Sequence, residues 1–95
     1  MATAINFRTA KPYLWYKAVT ADLASINAGD TVEQSFTIGA ALPNDWIEVQ
    51  AKDLEADLIL GQAWCATQGT VKVRIANPTV NPIDAASQDF HFICR

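Results

Sequence analysis

Apolar and polar residues alternate most clearly over residues 70–76, in the string TVKVRIA. Val71, Val73 and Ile75 occupy every second position, and basic residues lie between them. This period of two is typical of a β-strand with one face in the core and one face in water. Two Asn-Pro steps follow, and they end the strand because proline has no N–H to donate and moves the residue before it out of the helical region.

The same alternation predicts further strands along the chain. They cover residues 19–26, 31–38, 45–51, 58–66 and 89–95. In the last of these, Phe90, Phe92 and Cys94 share one face and are the expected core residues. Gly61 lies inside the strand before the TVKVRIA segment, where a glycine indicates a β-bulge or a close approach of two backbones.

Short segments with turn residues separate these strands. At 27–30, Gly29 supplies a positive φ, so we expect a hairpin between the strands on either side. A second turn is expected at 67–69, where another glycine precedes the TVKVRIA segment. For residues 52–58 a single helical turn and a loop both fit the spacing of the leucines, and we favour the loop.

About seven short strands separated by turns, with no helix of three turns, predict an all-β protein. The expected fold is a single antiparallel β-sandwich, of jelly-roll or immunoglobulin-like type, with an extended N-terminal arm. The length of 95 residues fits one domain. We divide the chain into residues 1–17, an arm or first strand, and residues 18–95, the sandwich.

The arm contains an aromatic cluster formed by Tyr13, Trp15 and Tyr16. One interpretation is that Leu14 and Tyr16 face the core while Tyr13 and Trp15 cover its edge. The other is that the arm lies on a neighbouring subunit, since Tyr and Trp are enriched in such contacts. Both interpretations stand open on the sequence alone.

Composition and charge exclude several classes of function. Apolar residues make up 51% of the chain and charged residues 18%, which is typical of a globular protein rather than a disordered one. The net charge is −3 and the basic residues are scattered, whereas nucleic-acid binding usually needs a basic stripe. No apolar run approaches the ~18 residues of a membrane span, and no charged-then-apolar leader is present, so we expect a soluble protein made in a cytoplasm.

The sequence offers little catalytic or metal-binding chemistry. Cys65 and Cys94 are expected to be reduced and buried. His91 is the one histidine, which argues against structural zinc because such sites need about four ligands. His91 and Cys94 are three residues apart on one strand and point to opposite sides, which argues against a Cys-His dyad. We therefore expect no catalytic residue, no cofactor and no metal, and hence not an enzyme.

Two further groups of residues have alternative readings. Asp53, Glu55 and Asp57 match the start of a calcium-binding loop, but the glycine and the terminal acid that such a loop requires are missing. A solvated acidic loop is the interpretation we adopt. Trp46 and Trp64 could form an exposed strip that binds sugar rings, although tryptophans more often lie in a core or a subunit contact.

Three strings of the chain resemble a known group of proteins. They are ASINAGDTVEQSFTI, DWIEV and GTVKVRIANPTVNPIDAASQDFHF. They resemble small β-sandwich structural proteins of tailed bacteriophages and cyanophages, which include capsid decoration (cement) proteins. The shared features are a glycine turn between two strands, an Asn44-Asp45 entry to an alternating strand, and a strand that closes in Asn-x-Thr followed by Ile-Asp. The resemblance runs from residue 22 onward and does not cover residues 1–17.

This resemblance implies a component of the virion that decorates the capsid surface and is assembled in the host cytoplasm. The implied partner is the major capsid protein, and the implied oligomer is a homotrimer. The expected contact residues are Tyr13, Trp15, Tyr16 and Trp46. The alternatives are a tail or neck subunit of the same virion, and a carbohydrate-binding β-sandwich module.

Overall fold

The computed structural model describes residues 13–95 of the chain. This part of the protein contains six β-strands. The strands are β1 (Trp15–Ala21), β2 (Thr31–Thr37), β3 (Ile47–Gln50), β4 (Ile59–Thr67), β5 (Thr70–Ala76) and β6 (Gln88–Cys94). Within this part of the chain, no helix has the length and apolar character that crossing a membrane requires.

The strands form two antiparallel sheets of three strands each. Sheet 1 has the order β1-β6-β3, and sheet 2 has the order β2-β5-β4. The edge strands β3 and β4 approach each other, with Cα atoms within 8 Å, so the two sheets meet along this side. The predicted all-β class is confirmed, with six strands in residues 13–95 instead of about seven.

The core lies between the sheets and is centred on three aromatic rings. The ring of Phe36 on β2 packs at 5.0 Å from that of Phe90 and at 4.9 Å from that of Phe92. The inward residues of the central strands are fully buried: Val71, Val73 and Ile75 on β5, and Phe90, Phe92 and Cys94 on β6. Both inward faces are those that the alternation predicted. Burial of each large apolar side chain among them contributes about 1.5–3 kcal/mol to the stability of the fold.

The predicted irregularity at Gly61 is present. The register of β4 against β5 shifts between Leu60 and Ala63, which is a β-bulge. A Cβ atom at Gly61 would lie 3.1 Å from the carbonyl oxygen of Arg74. The glycine therefore serves both purposes that the sequence suggested, a bulge and a close approach of two backbones.

The first strand differs from the prediction. The strand expected at 19–26 begins at Trp15 and ends at Ala21. It therefore includes the last residues of the expected arm. The prediction counts the arm and this strand separately, which explains why the observed number of strands is lower. The larger part of that arm, residues 1–12, lies outside the described residues. The interpretation that Leu14 and Tyr16 face the core is wrong: they are 78% and 46% exposed. Trp15 packs against the core instead, because it has the same parity as the inward Val19.

The turn at residues 27–30 forms, but it does not close a hairpin. Gly29 has a φ of 75°, and the Asp30 N–H donates to the Asn27 carbonyl oxygen at 3.1 Å. The expected hairpin is wrong because β1 and β2 belong to different sheets, so the turn carries the chain from one sheet to the other. The turn expected at residues 67–69 does form, and it closes a hairpin between β4 and β5, with a φ of 83° at Gly69.

Candidate binding surface

The outer face of sheet 1 carries most of the exposed aromatic side chains. The register places Tyr16 on β1 beside Ile93 on β6, and Ile93 beside Glu48 on β3. Trp46 precedes β3 and has the same parity as Glu48, so it lies on the same outward side. We call the outward side chains of Tyr16, His91, Ile93 and Trp46 the aromatic face.

Three rings lie next to one another at the β1 side of this face. The hydroxyl group of Tyr16 shares a hydrogen bond with Nδ1 of His91 at 2.5 Å, and the two rings are stacked at 6.0 Å between centroids. The ring of Tyr13 lies 6.2 Å from that of Tyr16. His91 therefore points away from the core, as its position in the strand predicted, and it has a tyrosine partner that the sequence did not reveal.

Trp46 lies at the β3 side of the face and is 69% exposed. Its indole Nε1 donates to Oε2 of Glu48 at 3.3 Å, and Nε of Arg95 donates to the same oxygen at 2.9 Å. The pKa of Glu48 lies below its ordinary value, chiefly because of the hydrogen bond from Arg95 and also because of the one from Trp46. Glu48 is thus ionised at neutral pH and restrains the indole ring, while most of the ring remains open to a partner.

Trp15 points to the other side of sheet 1, toward the core. Its indole Nε1 donates to Oδ2 of Asp45 at 3.2 Å, and the Leu42 backbone N–H donates to the same oxygen at 2.9 Å. The pKa of the Asp45 carboxyl is lowered, chiefly by the hydrogen bond from Leu42 and also by the one from Trp15. The thiol of Cys94 is fully buried, and burial together with the negative charge of Asp45 raises its pKa. The Trp15 indole is therefore held by Asp45 on the core side of sheet 1.

The four expected contact residues are thus divided between two sides of sheet 1. Tyr16 and Trp46 lie on the aromatic face, Tyr13 lies beside Tyr16, and the indole of Trp15 does not reach the face. Sequence reasoning missed Ile93 as a member. The signal was available in the parity of β6, since Ile93 alternates with the core residues Phe92 and Cys94.

The outer face of sheet 2 has a different character. Glu33 on β2 forms ion pairs with Lys72 at 3.9 Å and with Arg74 at 3.6 Å, both on β5. Arg74 also places its guanidinium 4.7 Å from the ring centroid of Trp64 on β4. Charged side chains therefore dominate the outer face of sheet 2, whereas the outer face of sheet 1 combines the exposed rings of Tyr16 and Trp46 with an ion pair between Glu48 and Arg95.

Two depressions mark the surface near β3. One, of about 260 Å³, lies on the aromatic face between β3 and β6 and is lined in part by Gln50, His91 and Ile93. The other, of about 330 Å³, lies between β3 and β4, with Trp46 on one side and Trp64 on the other. The sequence offered Trp46 and Trp64 as a possible sugar-binding strip, but it did not indicate either depression, because each combines strands that are distant in the chain.

No group of three or more His, Cys, Asp and Glu side chains in residues 13–95 is arranged to hold a metal ion. Cys65 and Cys94 are both free and buried.

Comparison with known proteins finds no match for this chain among protein-family models, curated proteins or solved structures.

Proposed function

We propose that the chain is a structural protein of a tailed-phage virion, a capsid decoration (cement) subunit that stabilises the lattice of the major capsid protein. The sequence resemblance from residue 22 onward motivates this role. The observation that supports it is the contrast between the aromatic face of sheet 1 and the charged face of sheet 2. A small sandwich with one such face is suited to docking on another protein through that face.

The aromatic face has the composition of a protein contact. Tyr and Trp are the side chains that most often dominate binding energy, and each aromatic ring has about 150–250 Å² to bury. Trp46 is 69% and Tyr16 46% exposed, so much of this area remains available. The depression between β3 and β6 offers a socket for one partner side chain, and His91 and Gln50 at its rim supply hydrogen bonds.

A homotrimer is part of the proposal. The sheets of a small sandwich end in edge strands with unpaired backbone groups, and a neighbouring subunit that covers an edge removes this liability. Closed symmetric assemblies are the usual result. Light scattering should then give three times the 10.4 kDa mass of one chain, and a monomer at high concentration would contradict this part of the proposal.

The proposed role requires no catalysis, and we assign no catalytic part to the two carboxylates near β3. A glycosidase needs one carboxyl group whose pKa is raised so that it can donate a proton. Asp45 and Glu48 both have lowered pKa values. Both are therefore ionised at neutral pH, and neither is suited to act as a general acid.

The test is co-sedimentation of the purified protein with expanded capsids of the phage that encodes it. Tyr16→Ala and Trp46→Ala should each weaken binding about tenfold or more, because each removes a ring from the aromatic face. Thr37→Ala, an exposed change on the outer side of sheet 2, is the matched control and should bind as the wild type does. If both ring variants occupy capsids like the wild type, the aromatic face is not the contact.

Copy number separates decoration from a tail or neck role. A cement subunit is present in hundreds of copies per particle, whereas a ring at the neck closes with about six to twelve. Quantitative mass spectrometry of purified virions measures this number directly. A count near a dozen would leave the virion assignment standing and move the protein to the tail or neck.

A further inference from the structure

The groove between β3 and β4 combines two tryptophans at the place where the two sheets meet. Its volume is about 330 Å³. Trp46 comes from the β3 side and Trp64 from the β4 side, while the buried side chains of Ile47 and Ala63 line its inner part. The two tryptophans are far apart in sequence, and only the approach of the two edge strands brings them to one groove.

Two carboxylate side chains and one amide side chain complete the lining. Asp45, Glu48 and Gln62 contribute to the walls. The lowered pKa values of Asp45 and Glu48 keep both carboxylates ionised at neutral pH, so they accept hydrogen bonds. Gln62 is exposed and can both donate and accept. The groove therefore offers apolar rings together with several acceptors and one amide.

Both rings are restrained before any ligand arrives. The hydrogen bond from Trp46 to Glu48, at 3.3 Å, limits rotation of the first indole. The guanidinium of Arg74, 4.7 Å from the ring centroid of Trp64, covers part of the second. Restrained side chains lose less conformational entropy on binding, which favours affinity for a small ligand.

We propose that this groove binds a short, uncharged saccharide. A pyranose ring has an apolar C–H face that packs on an indole and a rim of hydroxyl groups that donate to carboxylates and amides. The Asp45 carboxylate disfavours phosphates, uronic acids and sialic acids by charge repulsion, whereas Glu48 contributes less because Arg95 pairs with it at 2.9 Å. A volume at the lower end of the usual range for ligand sites, about 300–1,000 Å³, suits one or two sugar rings. The groove shares Trp46 with the proposed capsid contact, but Trp64, Gln62 and Ala63 lie outside the aromatic face, and the saccharide proposal does not depend on capsid binding.

A glycan array that spans neutral, amino and acidic saccharides tests the proposal, followed by titration of tryptophan fluorescence with the neutral disaccharides maltose, cellobiose and diacetylchitobiose. We expect binding to at least one neutral glycan and none to digalacturonic acid. Trp64→Ala should lower the affinity about tenfold or more, and Trp64→Phe should retain part of it. Ile59→Ala, on the same strand and outside the groove, should leave affinity unchanged.

Several results would overturn the proposal. They are the absence of binding to every neutral glycan on the array, a preference for acidic glycans, and wild-type affinity in Trp64→Ala. Capture of a lysine-rich peptide without any saccharide would instead identify the groove as a peptide site. Thermal unfolding of each variant shows that it is folded under the conditions of the titration. Capsid co-sedimentation of Trp64→Ala should be unchanged, so the failure of this proposal is distinguishable from failure of the capsid proposal.

Discussion

The side-chain amide of Asn77 donates a hydrogen bond to the backbone carbonyl oxygen of Ile26 at 2.9 Å. This bond joins the segment after β5, in sheet 2, to the segment that leaves β1, in sheet 1. The same amide donates to the Asn81 carbonyl oxygen at 2.8 Å, and its oxygen accepts from the Thr79 N–H at 3.0 Å. Asn77 is 1% exposed. The Asn-Pro step that ends β5 therefore also connects the two sheets.

Asn77→Ala should destabilise the fold by about 1–3 kcal/mol, because the backbone carbonyl oxygens of Ile26 and Asn81 lose the amide that donates to them. Chemical denaturation followed by tryptophan fluorescence measures this change in the free energy of unfolding. Asn81→Ala is the matched control: Asn81 is also followed by proline, is exposed and takes part in this network through its backbone. It should stay within about 0.5 kcal/mol of the wild type. Equal stability of the two variants would contradict this role of Asn77.

Gly61→Ala should destabilise the protein by about 1–3 kcal/mol. The added Cβ would meet the carbonyl oxygen of Arg74 at 3.1 Å and its Cβ at 3.4 Å, and the backbone of the central strand β5 has little room to shift. Gly39→Ala is the control, since a Cβ there meets nothing within 4 Å and the residue has no positive φ. The thermal midpoint of Gly39→Ala should be unchanged or slightly raised. A Gly61→Ala protein as stable as the wild type would show that the strands separate freely at the bulge.

Stability should fall as the pH drops below about 4.5, because two carboxyl groups titrate at lower pH in the folded protein. The ordinary pKa values are 3.8 for Asp45 and 4.5 for Glu48, and both are lowered in the fold. A depressed pKa adds stability above the unfolded value, and that stability is lost as the pH falls through the folded value. Denaturation midpoints measured from pH 7 to pH 2 record this loss. Glu48→Gln should show a shallower decline than the wild type, and an identical slope would contradict the assignment.

Truncation distinguishes the arm from the sandwich. None of the described strands begins before Trp15, so removal of residues 2–12 should leave a cooperative unfolding transition. Removal of residues 1–17 takes away Trp15 and shortens β1, and should cost about 3–5 kcal/mol, the usual loss for a packed tryptophan. Circular dichroism with denaturant titration compares the two. Capsid occupancy of the shorter truncation tests whether residues 2–12 contribute to binding. Because this variant keeps Tyr13, Trp15 and Tyr16, the contribution of the three rings is tested by their single alanine variants.

The local alternation of residues predicted the strands and core faces well. The inward sets on β5 and β6 could be predicted because a period of two depends only on neighbouring residues. The pairing of β1 with β6 could not, since Trp15 and Cys94 lie at opposite ends of the described chain. The grouping of the aromatic face could not be predicted for the same reason, since it requires the register of Tyr16, Ile93 and Glu48 on three separate strands. The groove likewise depends on how closely two edge strands approach.

The position of β6 has a consequence for how the protein acquires its structure during translation. β6 is the last of the described strands, yet it lies in the middle of sheet 1 between β1 and β3. Sheet 2 is built from β2, β4 and β5, all of which precede β6 in the chain, so it can form before β6 is in place. β1 and β3 have no partner until β6 emerges, and pairing over such sequence distances is slow. The apolar sides of β1 and β3 should therefore remain exposed until β6 pairs with them. During that time they are open to chaperones or to aggregation.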